Sequence, residues 1–120
     1  MRAAIKHIST IDGGDASKYQ PAAADTFSVT LRLLIGPEDA VGEESFDMIV
    51  CSPSWLETEL ARDGFVVGRH RLIVRRYDFR LVQQVIAKLI SRCSGETWSE
   101  IAEKISRLAY WEFEDYQTRT

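Results

Sequence analysis

The stretch from Glu44 to Leu60, ESFDMIVCSPSWLETEL, decides the fold because a strand pattern turns into a helix pattern at one corner. Apolar and polar side chains alternate along its first half, and its second face also becomes apolar, which indicates an interior strand. Ser52 is placed to cap a helix that begins at Pro53, a residue suited to the first helical position. Ser54 with Glu57 offers an alternative capping box one turn later. Either start predicts a strand followed directly by a helix.

This helix is predicted to be short, because Gly64 follows closely and suits a left-handed C-terminal cap. Upstream, apolar residues alternate with polar ones from Phe27 to Leu33, which indicates a half-buried strand that pairs antiparallel with the central one. Residues 2–11 predict a first strand. The segment 12–25 holds two glycines, a proline and almost nothing large to bury, so we expect a mobile surface loop there.

Downstream, Leu72–Val74 predicts a further strand, for which Phe65–Val67 is a possible start. From Asp78, a plausible N-cap, apolar residues recur at helical spacing as far as Gly95, a plausible stop. Thr97 to Glu100 is a capping-box signature for a last helix, whose register extends to Trp111 and Phe113. Two amphipathic helices joined by a few residues are expected to pack antiparallel.

These elements predict an α+β fold in a single domain over residues 1–120. Its antiparallel sheet of about four strands packs on a C-terminal helical hairpin, and one short helix is inserted after the central strand.

The composition, 45% hydrophobic and 28% charged, is typical of a soluble globular protein, and the formal net charge of −3 argues against nucleic acid as the main partner. No apolar run approaches the roughly 20 residues that cross a bilayer, so we expect no membrane association. The N-terminus lacks the long apolar core of a signal peptide, which favours the cytoplasm. Cys51 and Cys93 lie within apolar patterns and are expected to be buried free thiols.

No motif for a metal, a cofactor or a nucleophile is present, so we expect no cofactor and no enzymatic activity. The histidines and cysteines are too far apart in sequence for a ligand set: His7, Cys51, His70 and Cys93. General acid–base catalysis needs only two positioned groups. Its candidates are Asp47 or Glu112 with His70, residues that more often make surface ion pairs or caps.

Charge is distributed in blocks. Gly36–Ala61 contains seven acidic residues and no lysine or arginine, whereas Arg62–Arg80 contains six arginines. One interpretation is that adjacent elements neutralise each other. The other is that the acidic segment docks a basic protein partner, with the acidic residues of 111–116 as a second surface. The candidate partner-binding residues are Glu38, Asp39, Glu43, Glu44, Glu57, Glu59, Glu112, Glu114 and Asp115. The arginine-rich run could instead bind phosphate or RNA, although charges on an edge strand also prevent aggregation, the interpretation we prefer.

Several stretches resemble the immunity protein 8 family of bacterial polymorphic toxin systems: GPEDAVGEESFDMIVCSPSWL, GFVVGRHRLIVRRYD, the TWSE helix start and WEFEDY. The resemblance covers roughly residues 29 to 116 and includes no catalytic motif. It implies a cytoplasmic immunity protein that neutralises a cognate toxin domain by stoichiometric occlusion. The acidic segment in turn predicts that the toxin is basic at the contact face. The alternative is a small accessory or regulatory domain that self-associates through the sheet edge, and a third possibility is a cryptic hydrolase.

Overall fold

The sheet is built around its third strand. The computed structural model describes residues 1–113, whose elements in chain order are β1 (Ala3–Thr10), β2 (Ser28–Pro37), β3 (Glu44–Cys51), α1 (Pro53–Asp63), β4 (Arg71–Ile73), α2 (Phe79–Ser91), α3 (Trp98–Ile105) and β5 (Tyr110–Trp111). The strand order is β1-β2-β3-β4, and β5 also pairs with β3. The predicted α+β class is confirmed.

The sheet is mixed, so the prediction of a purely antiparallel sheet is wrong. β3 runs antiparallel to β2 but parallel to β4, with Val50 opposite Leu72. The cause is α1, which carries the chain back alongside the second half of β3, so that the next strand runs in the same direction. β5 pairs antiparallel with the first half of β3, where Phe46 lies opposite Trp111. β4 and β5 therefore share the side of β3 that faces away from β2.

The corner between β3 and α1 forms as predicted at Ser52 and Pro53. The buried Ser52 hydroxyl accepts a hydrogen bond from the Trp55 amide at 3.3 Å, and Pro53 occupies the first turn. The same hydroxyl accepts from the Phe27 amide at 3.1 Å, which ties the corner to the start of β2. Gly64 ends α1 in the left-handed conformation, with φ at 82°.

The core lies between one face of the sheet and the last two helices. Leu33 of β2 and Phe46 of β3, opposite each other, are fully buried, as are Ile86 of α2 and Ile101 of α3. α1 contributes no buried residue to this core. Helices α2 and α3 therefore cover the apolar face, and α1 connects β3 to β4 without adding to it.

The C-terminal part differs from the predicted helical hairpin. α2 ends at Ser91, with Arg92 and not Gly95 at its cap, and lies closest to β1 instead of running beside α3. α3 ends at Ile105, so the helical register predicted for Trp111 and Phe113 is wrong. The physical reason is that β4 pairs with only the second half of β3. The backbone N–H and C=O groups of the first half are satisfied by Tyr110–Trp111, which forms a strand there.

The segment 12–25 is anchored to the core around Ala16. Ala16 is fully buried, and its carbonyl accepts a 2.7 Å hydrogen bond from the Tyr77 hydroxyl. The Tyr19 ring meets that of Tyr77 edge-on, with centroids 4.9 Å apart. The mobility expected for this segment stays a prediction.

Three further expectations concern side chains and the bilayer. Phe65 and Val67 do not form a strand and are exposed. Cys51 and Cys93 are buried free thiols, as predicted, and burial raises the pKa of both. Over residues 1–113, no helix is both long enough and apolar enough to cross a bilayer.

Candidate functional site

The loop between β2 and β3 carries the first group of predicted binding residues. Glu38, Asp39 and Glu43 are exposed, and within residues 1–113 their carboxylates form no ion pair within 4.0 Å. The loop folds back tightly at its base, because a Cβ on Gly36 would lie only 1.9 Å from the Gly42 carbonyl oxygen. This close approach fixes the position from which the three carboxylates project.

Glu44 and Glu112, far apart in sequence, meet where β3 pairs with β5. The Trp111 indole Nε1 donates to Glu44 Oε2 at 2.6 Å, and the Ser45 amide donates to Glu112 Oε1 at 2.9 Å. The ring of Trp111 stacks on Phe46, with centroids 6.2 Å apart. Each carboxylate is therefore oriented by one specific donor beside the acidic loop.

We call these five residues the loop-end acids: Glu38, Asp39, Glu43, Glu44 and Glu112. The sequence placed the first four in one segment, and the short strand β5 brings the fifth to them. Glu114 and Asp115, also predicted to bind a partner, lie outside the described residues.

The acidic residues of α1 lie elsewhere. Glu57 is exposed, and Glu59 forms an ion pair with Arg62, which also pairs with Asp63 at 3.0 Å. α1 begins at the end of β3 opposite the loop, so the two acidic groups lie on different elements. The structure thus divides the predicted acidic segment into two groups, of which the α1 group is partly neutralised by its own arginine.

The arginine-rich segment is not one continuous patch. Arg71 lies on the sheet, donates from Nε to the Val67 carbonyl at 2.6 Å, and stacks its guanidinium over Trp55 at 5.5 Å. Arg75 and Arg76 come after β4 and line a small cleft beside Pro53. Of the arginine-rich segment, which we predicted to form an edge strand, only the three residues of β4 do so.

The candidate acid–base residues are engaged in structural contacts. Asp47 binds Arg32 through two parallel hydrogen bonds of 3.0 Å, which raise the pKa of the guanidinium. His70 is buried, and its Nε2 lies 2.6 Å from the Ser106 carbonyl oxygen, so Nε2 donates in this contact. Glu112 accepts a hydrogen bond from the Ser45 amide. No group of three or more His, Cys, Asp or Glu in residues 1–113 could hold a metal ion.

Sequence reasoning missed one feature, a groove between β1 and α2. The signal was present: Phe79, Gln83 and Ala87 recur every four residues on α2, beside the apolar stripe that packs the core. Because that face mixes apolar and polar residues, the sequence alone does not indicate that it lines a groove.

These features define a class of protein, a small α+β domain that presents oriented and unpaired carboxylates at one end of a mixed sheet. The family model for immunity protein 8 matches residues 3–116 of the chain, which therefore belongs to the immunity protein 8 family. No curated protein matches the chain. No solved structure matches it. Membership of an immunity protein family implies a protein toxin as partner, and such families are generally non-enzymatic.

Proposed function

We propose that this protein is a cytoplasmic immunity protein that binds a cognate toxin domain and neutralises it by stoichiometric occlusion, without enzymatic activity of its own. The family match supports the general role. The observation that carries the binding mode is the set of loop-end acids, three of which are exposed and without an ion pair in the described part of the chain.

The proposed toxin surface is basic where it meets the loop-end acids. Complementary charge raises association rates, up to roughly 10⁸–10⁹ M⁻¹s⁻¹ at low salt, and it orients the encounter. A toxin that is lethal inside the cell must be captured quickly, so a fast association rate has a direct benefit. An interface of about 800 Å² per partner is ordinary for a specific complex and is feasible on a domain of this size.

Glu44 and Glu112 supply the rigid part of this surface, because Trp111 and Ser45 hold their carboxylates in place. A pre-oriented carboxylate loses less conformational entropy when it binds an arginine than a freely rotating one does. Glu57, Glu59, Glu114 and Asp115 remain part of the proposal as additional contacts.

The first experiment is co-expression with a toxin-like C-terminal domain encoded immediately upstream. We expect growth to be restored and the two proteins to co-purify in a stoichiometric complex. Absence of both rescue and complex, with both proteins folded, would overturn the proposed function in favour of the self-associating accessory domain.

A charge-reversal pair then tests the surface. Glu43→Lys is expected to slow association by about fivefold at low salt and to flatten its salt dependence, because it reverses an unpaired loop-end acid. Glu103→Lys is the matched control, since Glu103 is an exposed residue of α3 outside this surface. Equal association rates for the two variants would remove the loop-end acids from the proposal.

A further inference from the structure

A groove of about 700 Å³ runs between the outer edge of β1 and one face of α2. Its floor is formed by the consecutive residues 2–8. Its wall is formed by Phe79, Gln83, Ala87 and Ile90, which recur at spacings of four, four and three and so lie along one side of the helix. Strand and helix therefore face each other along the whole length of the groove.

The outer edge of β1 is covered at its two ends only. Arg2 bridges to Ser94 at one end, and Ser9 bridges to Asp15 at the other. Between these bridges, β1 has β2 as its only strand neighbour in residues 1–113. Residues 3–8 therefore present backbone N–H and C=O groups outward over about 20 Å, on both sides of an irregularity in the pairing between Ile5 and His7, and form a template for one more strand.

We propose that this groove receives an extended segment of the toxin domain, about six residues long, which adds to the sheet as a strand beside β1. The inference rests on the proposed function, because it takes the toxin as the partner. Backbone hydrogen bonds to β1 supply affinity, and α2 selects the side chains that point towards it.

The two end bridges favour a short segment over a second copy of this chain. A second β1 would carry its own loop at Asp15 and its own bridge at Ser94, and these would meet the same coverings on the first copy. A single extended segment has no such attachments and fits the six open positions.

The lining defines the chemistry of the segment. Ile5, Phe79, Ala87 and Ile90 supply the apolar part of the lining, which suits aliphatic side chains on the segment. Glu38 places a carboxylate at one end, beside Arg2, and Asp15 places one at the other end, near His7, which suits polar or basic residues flanking the segment. The Lys6 ammonium donates to the Ala40 carbonyl at 3.1 Å and is thereby directed to the β2–β3 loop.

The groove is continuous with the loop-end acids. Glu38 belongs to both, and its amide donates to the Arg2 carbonyl at 2.9 Å, next to the start of β1. One toxin domain could therefore contact the acidic loop with its basic surface and place an adjacent extended segment in the groove.

Hydrogen exchange on the co-purified complex with the upstream-encoded toxin-like domain tests the strand addition. We expect the outward-facing amides of residues 3–8 to exchange at least about tenfold more slowly in the complex than in the free protein. Gln83→Tyr, which places a ring in the groove, is expected to weaken the complex by at least about tenfold. Gln84→Tyr is the matched control, because Gln84 is an equally exposed neighbour on α2 that does not line the groove.

Each alternative outcome is distinct. A complex in which β1 exchanges as in the free protein, and which Gln83→Tyr does not weaken, overturns the strand addition and leaves the proposed function standing. Failure of rescue and of complex formation overturns both. A concentration-dependent dimer in sedimentation that Gln83→Tyr abolishes would assign the groove to a second copy and overturn the toxin segment as its occupant.

Discussion

Trp111 Nε1 donates a 2.6 Å hydrogen bond to Glu44 Oε2, so β5 fixes the side chain of the first residue of β3. The same indole stacks on Phe46, the partner of Trp111 in the strand pairing. One tryptophan thus stabilises the sheet edge and orients an acidic residue of the proposed binding surface.

Two substitutions of Trp111 are therefore expected to lower stability by different amounts. Trp111→Phe removes the hydrogen bond to a carboxylate and should lower the free energy of unfolding by about 1.5–3 kcal/mol. Trp111→Ala also removes the stacked ring and should cost about 3–5 kcal/mol. Urea denaturation measures both. Phe65→Ala is the control, since Phe65 is 68% exposed, and an equal loss for Phe65→Ala and Trp111→Ala would contradict this prediction.

Gly36 is expected to tolerate no side chain. Its Cβ would lie 1.9 Å from the backbone oxygen of Gly42, so Gly36→Ala must displace the loop that carries the acidic residues, at a cost of about 2 kcal/mol or more. Gly68→Ala is the control, because nothing lies within 4 Å of its Cβ position. We expect that variant to change the unfolding free energy by less than about 1 kcal/mol. Similar thermal midpoints for the two variants would contradict the close approach at Gly36.

Stability is expected to fall at high pH because of Tyr77. Burial raises the pKa of Tyr77 to about 12 from its ordinary value of 10.0. Below pH 10 both the folded and unfolded states keep the proton. Between pH 10 and 12 the unfolded state loses it while the folded state retains it, so stability decreases as pH rises through this window.

Tyr77→Phe separates this effect from the hydrogen bond to Ala16. The variant should be less stable by about 1 kcal/mol at neutral pH, since the Ala16 carbonyl loses its donor. Its urea midpoint should also decline less between pH 10 and 12, and the residual decline has a source in Tyr19, whose pKa is likewise raised by burial. An unchanged decline would show that Tyr77 is not the titrating group.

The two groups of predicted acidic residues are expected to act independently on association. They lie on different elements, and Arg62 pairs with Glu59 and so partly neutralises the α1 group. Glu57→Lys on α1 should therefore slow association with the toxin domain less than Glu43→Lys in the loop. Stopped-flow rates at two salt concentrations measure this, and a larger effect of Glu57→Lys would move the proposed surface to α1.

Local chemistry made part of the fold predictable. Ser52, Pro53 and Gly64 specify the start and end of α1 through caps to neighbouring residues, and the further hydrogen bond from the Phe27 amide to Ser52 is not needed to predict them. Asp78 likewise caps α2, accepting from the amides of Arg80 and Leu81. The alternating strands were predictable because each has one buried face.

The remainder depends on contacts between distant segments. A two-residue strand such as Tyr110–Trp111 has no periodicity of its own, and its pairing with β3 could not be deduced from helical spacing. The same applies to Glu112, which joins the loop-end acids only because β5 forms. The groove was missed because it requires the placement of α2 beside β1.

One edge of β3 pairs with β5 in its first half and with β4 in its second half, and this arrangement has a consequence for synthesis. Phe46 leaves the ribosome long before Trp111, its partner in the sheet. Until then the first half of β3 has one open edge, and the carboxylate of Glu44 lacks its indole donor. A nascent chain therefore completes its sheet and the ordered part of the proposed acidic surface at the same late moment, so that this surface forms only with the complete sheet.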